Sequence, residues 1–577
     1  MKILLIAINA KYIHSNLAVY SLKAYAGEYK EHICLAEYTI NNRTEYILQE
    51  IYKQKADVLC FSCYIWNFRY VQELIIELHK LLPEVPIWVG GPEVSYESEK
   101  LLYKYPMITG VMIGEGEKTF LELCKYYLGK ADILENLSNL SIEQIPGLMI
   151  RNETGELIRT IKREPLCMDE LPFCYKDIEN FRNRIIYYET SRGCPFSCSY
   201  CLSSIDKGLR FRSFSLVKKE LQFFLNHQVA QVKFVDRTFN CNHKHAMEIW
   251  QYLKEHDNGI TNFHFEISAD LLTEEELKLM ETMRPGLIQL EIGVQSTYEP
   301  TLQEIHRSMN LSRLESVVHC VQQAGNIHQH LDLIAGLPLE DFSTFADSFC
   351  QVYQWKPEQL QLGFLKVLKG SYLYEHQEEY GLLYQEYPPY EVMATNWISY
   401  QEMLQIKLVE EMLEVYYNSG QFEMTMKILE LTTKHPFYLF LELGKFYEDQ
   451  GFLAMNHSRI RRCEILLDFV KKKDKEHLEL YKETLTFDLY YRENMKTRPY
   501  WAPDLAEFKE ITRKYCKNGR MSHVEPFWYN MKAIEKEKTL VAYPEKERER
   551  QFWKFSYEEK NPLTKQAKVE KLEKERR

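Results

Sequence analysis

The sequence predicts an α/β chain in three parts: a doubly wound parallel sheet, then a partial (β/α)6 barrel, then a helical C-terminal domain. Three observations carry this. Residues 1 to 130 hold short apolar runs at 3–7, 33–36, 58–61, 87–89 and 111–113, with amphipathic stretches between them. A second alternating series runs from Ile185, with apolar runs at 185–189, 232–235, 263–267, 287–293, 331–334 and 360–364. From about residue 375 the alternation stops and helical periodicity takes over. A chain of 577 residues is also too long for one core and divides into about three or four domains.

In the first series, each short apolar run followed by a helical stretch specifies a parallel strand with its crossover. Ligands of such sheets bind beyond the carboxyl ends of the strands. The loops there read Asn9-Ala10-Lys11-Tyr12-Ile13-His14, Ser62-Cys63-Tyr64, Gly90-Gly91-Pro92-Glu93 and Gly114-Glu115-Gly116-Glu117. Glycine sits where a bulky ligand needs close approach to the backbone. Residues 131–183 read as a connector with a hairpin, 147–151 and 156–159, turning at Asn152-Glu153-Thr154-Gly155. The barrel then occupies 184–374, and six βα units are too few to close an eight-stranded one. The helical domain spans 375–543, with helical stretches at 391–417, 422–450, 455–472 and 477–488. In the tail, 544–577, lysines and arginines are matched by Glu545, Glu547, Glu549, Glu570, Glu573 and Glu575, which predicts a solvated helix or a frayed terminus.

After the first barrel strand comes Ser191-Arg192-Gly193-Cys194-Pro195-Phe196-Ser197-Cys198-Ser199-Tyr200-Cys201. Structural zinc sites and most iron–sulfur sites use four protein ligands. Three thiolates leave one metal position open for a group that comes and goes. The competing reading is half of a zinc site built on Cys198 and Cys201, and no second pair follows at zinc spacing.

This C-x3-C-x2-C run, with an aromatic residue before its third cysteine, resembles the cluster loop of the radical S-adenosylmethionine (SAM) superfamily. The resemblance implies that Cys194, Cys198 and Cys201 hold a [4Fe-4S] cluster whose fourth iron binds SAM. It further implies SAM contacts by Tyr200, by Asp236 after the second strand, by Glu266 and Ser268 near the third, and by Gly293 and Gln295 around the fourth. A bare carboxylate at a strand end is commonly just solvated. Glu266, inside the apolar stretch Phe263-His264-Phe265-Glu266-Ile267, is harder to explain that way.

The four sheet-edge loops resemble, in order, those of cobalamin-binding Rossmann-like domains. Tyr12, His14, Ser62, Gly90, Gly91, Glu93 and Gly114 are the contacts this implies. The Asp-x-His-x-x-Gly element whose histidine ligates cobalt is absent: Tyr12 stands two before His14 and Ala18 four after it. His14 is thus expected to be a turn histidine satisfied by the backbone, with a non-ligating side chain or water below the cobalt.

The whole chain resembles the B12-domain radical SAM proteins that carry a helical C-terminal extension. In the helical part, aromatic density reads as core, while His435-Pro436, His457 and Arg461-Arg462-Cys463 remain candidates for reaching substrate. The family implies three cofactors: a [4Fe-4S] cluster, SAM and cobalamin. It implies reductive cleavage of SAM to a 5′-deoxyadenosyl radical and transfer of a methyl group from cobalamin to an unreactive carbon of a small molecule or peptide. An electron donor such as flavodoxin or ferredoxin is expected as partner. Two alternatives stay open: radical chemistry without methyl transfer, and a non-catalytic corrinoid or cluster sensor. The net charge of −11 gives nucleic acid no electrostatic help. No apolar run reaches about 18 residues, and Met1-Lys2 runs straight into a strand, so neither a membrane span nor a leader is expected. Of fourteen cysteines, eleven lie outside the loop without a spaced framework, which predicts reduced thiols and a cytoplasmic location.

Overall fold

The strand Ile3–Asn9 (β1) buries all seven of its residues, as a central strand covered on both faces must. Around it, in a computed structural model that describes residues 1–130, 141–152, 154–516, 521–537, 539–561 and 563–572, stand Ile33–Thr39 (β2), Val58–Ser62 (β3), Ile87–Gly90 (β4) and Gly110–Met112 (β5). The sheet order begins β2-β1-β3-β4-β5, all parallel. This order reverses direction between β1 and β3, which opens a crevice at their carboxyl ends. The helix Phe68–Leu81 shows why the crossovers form: Phe68, Val71, Leu74, Ile75 and Leu78 fall on one face and all are buried. Each such side chain contributes roughly 1.5–3 kcal/mol by leaving water. Register is fixed by shape as well. A Cβ on Gly110 would lie 2.5 Å from the ring of fully buried Trp88, so only glycine fits opposite that indole.

The predicted hairpin forms and extends this sheet. Leu148–Arg151 (β6) and Leu157–Arg159 (β7) add antiparallel at its edge, so the first sheet continues well past residue 130. Asn152 accepts the turn's Gly155 N–H at 3.0 Å; Glu153 lies outside the described residues.

The chain divides into two compact units. The first comprises Met1–Gln289, Leu302–Met309 and Phe364–Asn396. Besides the first sheet it holds the parallel neighbours Ile186–Tyr188 (β8), Gln231–Phe234 (β9) and Asn262–Ile267 (β10). The second comprises Leu290–Thr301, Asn310–Gly363 and Trp397–Arg577. It takes most of Ile288–Gln295 (β11), all of His328–Ala335 (β12) and most of Gln359–Phe364 (β13). Each unit thus holds three of the six strands expected, each within a few residues of its apolar run.

Two expectations for the C-terminal part are corrected. Residues 391–394, read as the start of a helix, instead place Val392–Ala394 (β15) antiparallel to Leu383–Tyr384 (β14). The Val392 N–H goes to Leu365 O at 2.8 Å, so it pairs across segments and not along a helix. The helical part proper begins at Tyr400–Leu413, under a capping box in which Ser399 and Glu402 satisfy each other's backbone N–H. It continues through Glu423–Glu430, Pro436–Asp449, Arg459–Lys473 and Leu478–Arg492.

The tail is the larger correction. Its described residues form strands: Lys546–Ser556 (β17) and Lys568–Leu572 (β18) pair antiparallel, and Ser522–Tyr529 (β16) completes the sheet in the order β16-β17-β18. Phe552, Trp553 and Phe555 are buried within it, so aromatic burial overrides the charges that flank them. Residues 573–577, with Glu573 and Glu575, lie outside the described residues.

Candidate active site

The cysteine loop is anchored by a carboxylate with no solvent exposure. Asp236, just past β9, accepts the Thr190 N–H at 3.0 Å and the Thr190 and Ser191 hydroxyls at 2.6 Å each. Burial raises its pKa to about 6, against the pull of those three hydrogen bonds. Ser191–Arg192 then pair antiparallel with Arg210–Phe211, closing the loop at its base. Gly193 turns at φ +91°, and a Cβ there would meet the Gly208 carbonyl oxygen at 2.6 Å, so the turn requires glycine. Cys194 N–H reaches Asp206 O at 3.0 Å, Ser199 N–H reaches Ile305 O at 2.9 Å, and Leu373 N–H reaches Ser199 O at 3.0 Å. Beyond the Asp236 carboxylate, backbone bonds from three further segments thus hold the loop.

Cys194 and Cys198 are 7% and 6% exposed, and Cys201 somewhat more. Burial pushes the Cys194 thiol up; the Phe196 backbone and Thr238 hydroxyl counter this, while the neighbouring Cys201 and Cys198 thiols add to it. The three sulfurs are therefore within electrostatic reach of one another. Among the described residues no three His, Cys, Asp or Glu side chains converge on a single ion. Arg307 supplies the charge complement: its guanidinium donates to the Cys198 sulfur at 3.7 Å and to the Tyr200 hydroxyl at 3.4 Å. A cation there favours negative charge on thiolate or cluster. The donor set fits a three-cysteine iron–sulfur cluster.

At the carboxyl edge of the first sheet lies a cavity of about 330 Å³. Leu5, Val19, Leu22 and Met112 give it apolar walls, while Ser62, Gly90, Gly91 and Gly114 form backbone-rich edges. Gly91 sits at φ +114° with Cys63 so close that a Cβ would lie 2.5 Å from its carbonyl oxygen. Gly114, at φ +77°, would meet nothing within 4 Å, which leaves the backbone open to a ligand. An apolar cleft with open glycine backbone fits the nucleotide tail of a corrinoid. Tyr64, stacked on Trp66 with ring centroids 4.3 Å apart, also lines the cavity, as do Ser95, Tyr96, Glu115, Glu117 and Arg192.

Four of the seven residues expected around a corrinoid line this cavity: Ser62, Gly90, Gly91 and Gly114. Three sit elsewhere. Tyr12 is 65% exposed beneath the Arg184 guanidinium, 5.0 Å from its ring centre. His14 is satisfied by a side chain, not by backbone alone: its Nδ1 is 2.7 Å from the Tyr187 hydroxyl. Burial lowers its pKa, and Lys11 and Lys233 lower it further, which favours the neutral ring. Glu93 turns inward to Lys369 at 3.2 Å and to the Tyr390 hydroxyl.

Of the residues expected around SAM, Tyr200 packs in the loop and Asp236 holds the loop's start. Glu266 stands 3.9 Å from the Lys233 ammonium. Ser268 donates to Asp270 at 2.7 Å, and its backbone N–H to Asn240 at 3.0 Å. Gly293 and Gln295 belong to the second unit; Gln295 has φ +74° and a buried side-chain oxygen that meets no donor. Sequence spacing missed Arg192 and Arg307. Their partners lie about 75 and 109 residues away in the chain, and no local pattern signals such pairs.

Three family models match, in chain order: "B12 binding domain" over residues 3–124, "Radical SAM superfamily" over 188–349, and "Protein of unknown function (DUF4080)" over 378–542. The chain is 27% identical to the cobalamin-dependent radical SAM methyltransferase TokK of Streptomyces tokunonensis, over 56% of this chain and 49% of the relative. It is 28% identical to the 2-(S-pantetheinyl)-carbapenam-3-carboxylate methyltransferase of Streptantibioticus cattleyicolor, over 50% of this chain and 44% of the relative. The chain thus spans about half the length of these curated relatives. Among solved structures, the cobalamin-dependent SAM radical enzyme OxsB with aqua-cobalamin and SAM bound superposes with a TM-score of 0.57 at 17% identity. That match covers 84% of this chain and 78% of the other and concerns the fold.

Proposed function

We propose that this chain, a radical SAM protein with an N-terminal B12-binding domain, is a cobalamin-dependent methyltransferase acting on an unreactive carbon of a small molecule or peptide. The observation that supports it most is that a three-cysteine loop and a glycine-edged cavity occur in one compact unit, tied by side chains common to both. When bound, a [4Fe-4S] cluster supplies the electron that splits SAM into a 5′-deoxyadenosyl radical, and cobalamin supplies a transferable methyl group.

The chain's own residues position and insulate. Cys194, Cys198 and Cys201 hold the cluster, and Arg307 stabilises the negative charge that reduction adds. Asp236 serves as the anchor of the loop, since its oxygens are already engaged by Thr190 and Ser191. Glu266 remains a candidate acceptor for the SAM ribose or ammonium, with Lys233 setting its charge. Ser62, Gly90, Gly91 and Gly114 receive the corrinoid tail. Cys194 and Cys198 are nearly buried, which limits access of water and oxygen.

The electron donor is a flavodoxin- or ferredoxin-type protein. All fourteen cysteines are unpaired, which supports a reducing compartment such as the cytoplasm. No helix among the described residues is long and apolar enough to cross a membrane.

The test is turnover of anoxically reconstituted protein with reductant and SAM, with and without hydroxocobalamin. Methyl transfer predicts S-adenosylhomocysteine that requires the corrinoid, beside 5′-deoxyadenosine. If 5′-deoxyadenosine forms at the same rate with no corrinoid-dependent S-adenosylhomocysteine, the methyltransferase assignment is wrong and a radical reaction of another type stands.

A further inference from the structure

Arg192 belongs to both sites. It lines the glycine-edged cavity and lies two residues before Cys194. Its guanidinium donates to Glu117 Oε1 at 2.6 Å and to Glu189 Oε2 at 2.9 Å, and stands 3.4 Å from Glu115. Glu115 and Glu117 form the Gly114-Glu115-Gly116-Glu117 turn that walls the cavity. The neighbouring Arg210, paired with Arg192 across the base of the cysteine loop, donates to Glu115 at 2.6 Å and to Asp206 at 2.8 Å. Asp206 in turn accepts the Cys194 N–H at 3.0 Å through its carbonyl. Two routes therefore join the cavity wall to the first cysteine, one through Arg192 and Gly193, the other through Arg210 and Asp206.

The Arg192 route has the less slack of the two. The Arg192 and Glu117 side chains are 16% and 7% exposed, so their attraction is little screened. Burial alone would raise the Glu117 carboxyl, yet Arg192 overrides this and holds it below its ordinary value. Glu117 also opens the helix Glu117–Lys130, where its charge meets the positive end of the dipole, and it accepts the Ser21 hydroxyl at 3.2 Å. Three carboxylates around one cation need the planar, five-donor guanidinium; an ammonium cannot face them all in fixed directions. Gly193 has no room for a side chain that could loosen the turn.

We infer that Arg192 is a positioning residue that couples the corrinoid cavity to the cysteine loop, so that filling either site organises the other. The inference rests on the cofactor reading above. A corrinoid seated against residues 114–117 fixes Glu115 and Glu117, and through Arg192 sets the start of the loop. By linkage, a loaded loop must then tighten the cavity by the same factor.

The test titrates hydroxocobalamin into the full chain in two states, cluster-free and anoxically reconstituted with iron and sulfide. The coupling predicts an affinity roughly fivefold or more tighter in the reconstituted state. In Arg192→Lys, and independently in Glu117→Gln, which keeps the shape of the turn, that ratio falls to near one while hydroxocobalamin still binds. A purely structural role would weaken both states equally and leave the ratio unchanged. Equal affinities of the two wild-type states overturn the inference, as do variants that keep the wild-type ratio. If the wild-type chain binds no hydroxocobalamin in either state, the cobalamin reading itself fails and the inference falls with it.

Discussion

Arg307 points its guanidinium at the Cys198 sulfur, 3.7 Å away, from a segment 109 residues further along the chain. A cation at a cluster ligand favours the reduced, more negative state. Arg307→Gln is therefore expected to lower the midpoint potential of the reconstituted cluster, by an amount on the order of tens of millivolts for one charge-assisted hydrogen bond. Redox titration followed by electron paramagnetic resonance reads this directly. A potential that rises or stays fixed would contradict a charge-stabilising role for Arg307 at the cluster.

Gly91 admits no side chain. Its φ of +114° and the 2.5 Å approach of a built Cβ to Cys63 O act together. Gly91→Ala should destabilise the first unit by about 1–3 kcal/mol and weaken hydroxocobalamin binding, because Gly91 lines the cavity. Gly114→Ala makes the contrast: its Cβ would meet no protein atom within 4 Å, so only the strain of φ +77°, about 1 kcal/mol, acts on stability, and the loss of corrinoid binding should be the larger effect. Hydroxocobalamin binding left unchanged in Gly114→Ala would argue against the cavity's assignment.

Arg212 and Glu220 form a buried pair beneath the cysteine loop, 2.5 Å apart and 6% and 8% exposed in their side chains. Tyr188 of β8 donates to the same carboxylate at 2.5 Å. Arg212→Met leaves that carboxylate buried without its cation and should cost about 3–5 kcal/mol of stability. Denaturant unfolding of the full chain checks this. A loss under about 1 kcal/mol would mean that water already solvates the pair.

How much of this was readable in advance follows from the range of the interactions. The strands of both alternating series were legible because their apolar runs are local. The cysteine loop is local in the same way, its three cysteines falling within eight residues. Ser62, Gly90, Gly91 and Gly114 could be found because strand ends specify their place. Arg192–Glu117 and Arg307–Cys198 were invisible because they join segments that only the fold brings together. In the tail, the charges of Glu545, Glu547 and Glu549 hid a short aromatic pattern, Phe552-Trp553-Lys554-Phe555, that burial made decisive.

Asp488 gives the second unit a defined pH response. It has almost no exposure and accepts the Met424 and Thr425 N–H groups at 2.9 and 3.0 Å. Burial raises its pKa to about 7, against the pull of these hydrogen bonds and of the Thr425 hydroxyl. The folded state thus holds a proton that the unfolded chain releases near 3.8. This contribution to stability is full below about pH 4 and is lost as pH rises through about 7. Asp488→Asn should be flatter across that window, though less stable at its acid end for want of a second acceptor oxygen. Thermal melts of the full chain between about pH 5 and 8 decide it; parallel pH profiles for the two proteins would assign the response to another group.

The central claim is that three cysteines, and no fourth protein ligand, hold a cluster that cleaves SAM. Its most direct measurement is 5′-deoxyadenosine formed from SAM by the anoxically reconstituted, dithionite-reduced chain, beside the triple variant Cys194→Ala, Cys198→Ala, Cys201→Ala. The account predicts product from the wild-type chain and none from the variant. Product from both, or no product from wild-type protein carrying a full complement of iron and sulfide, would contradict it.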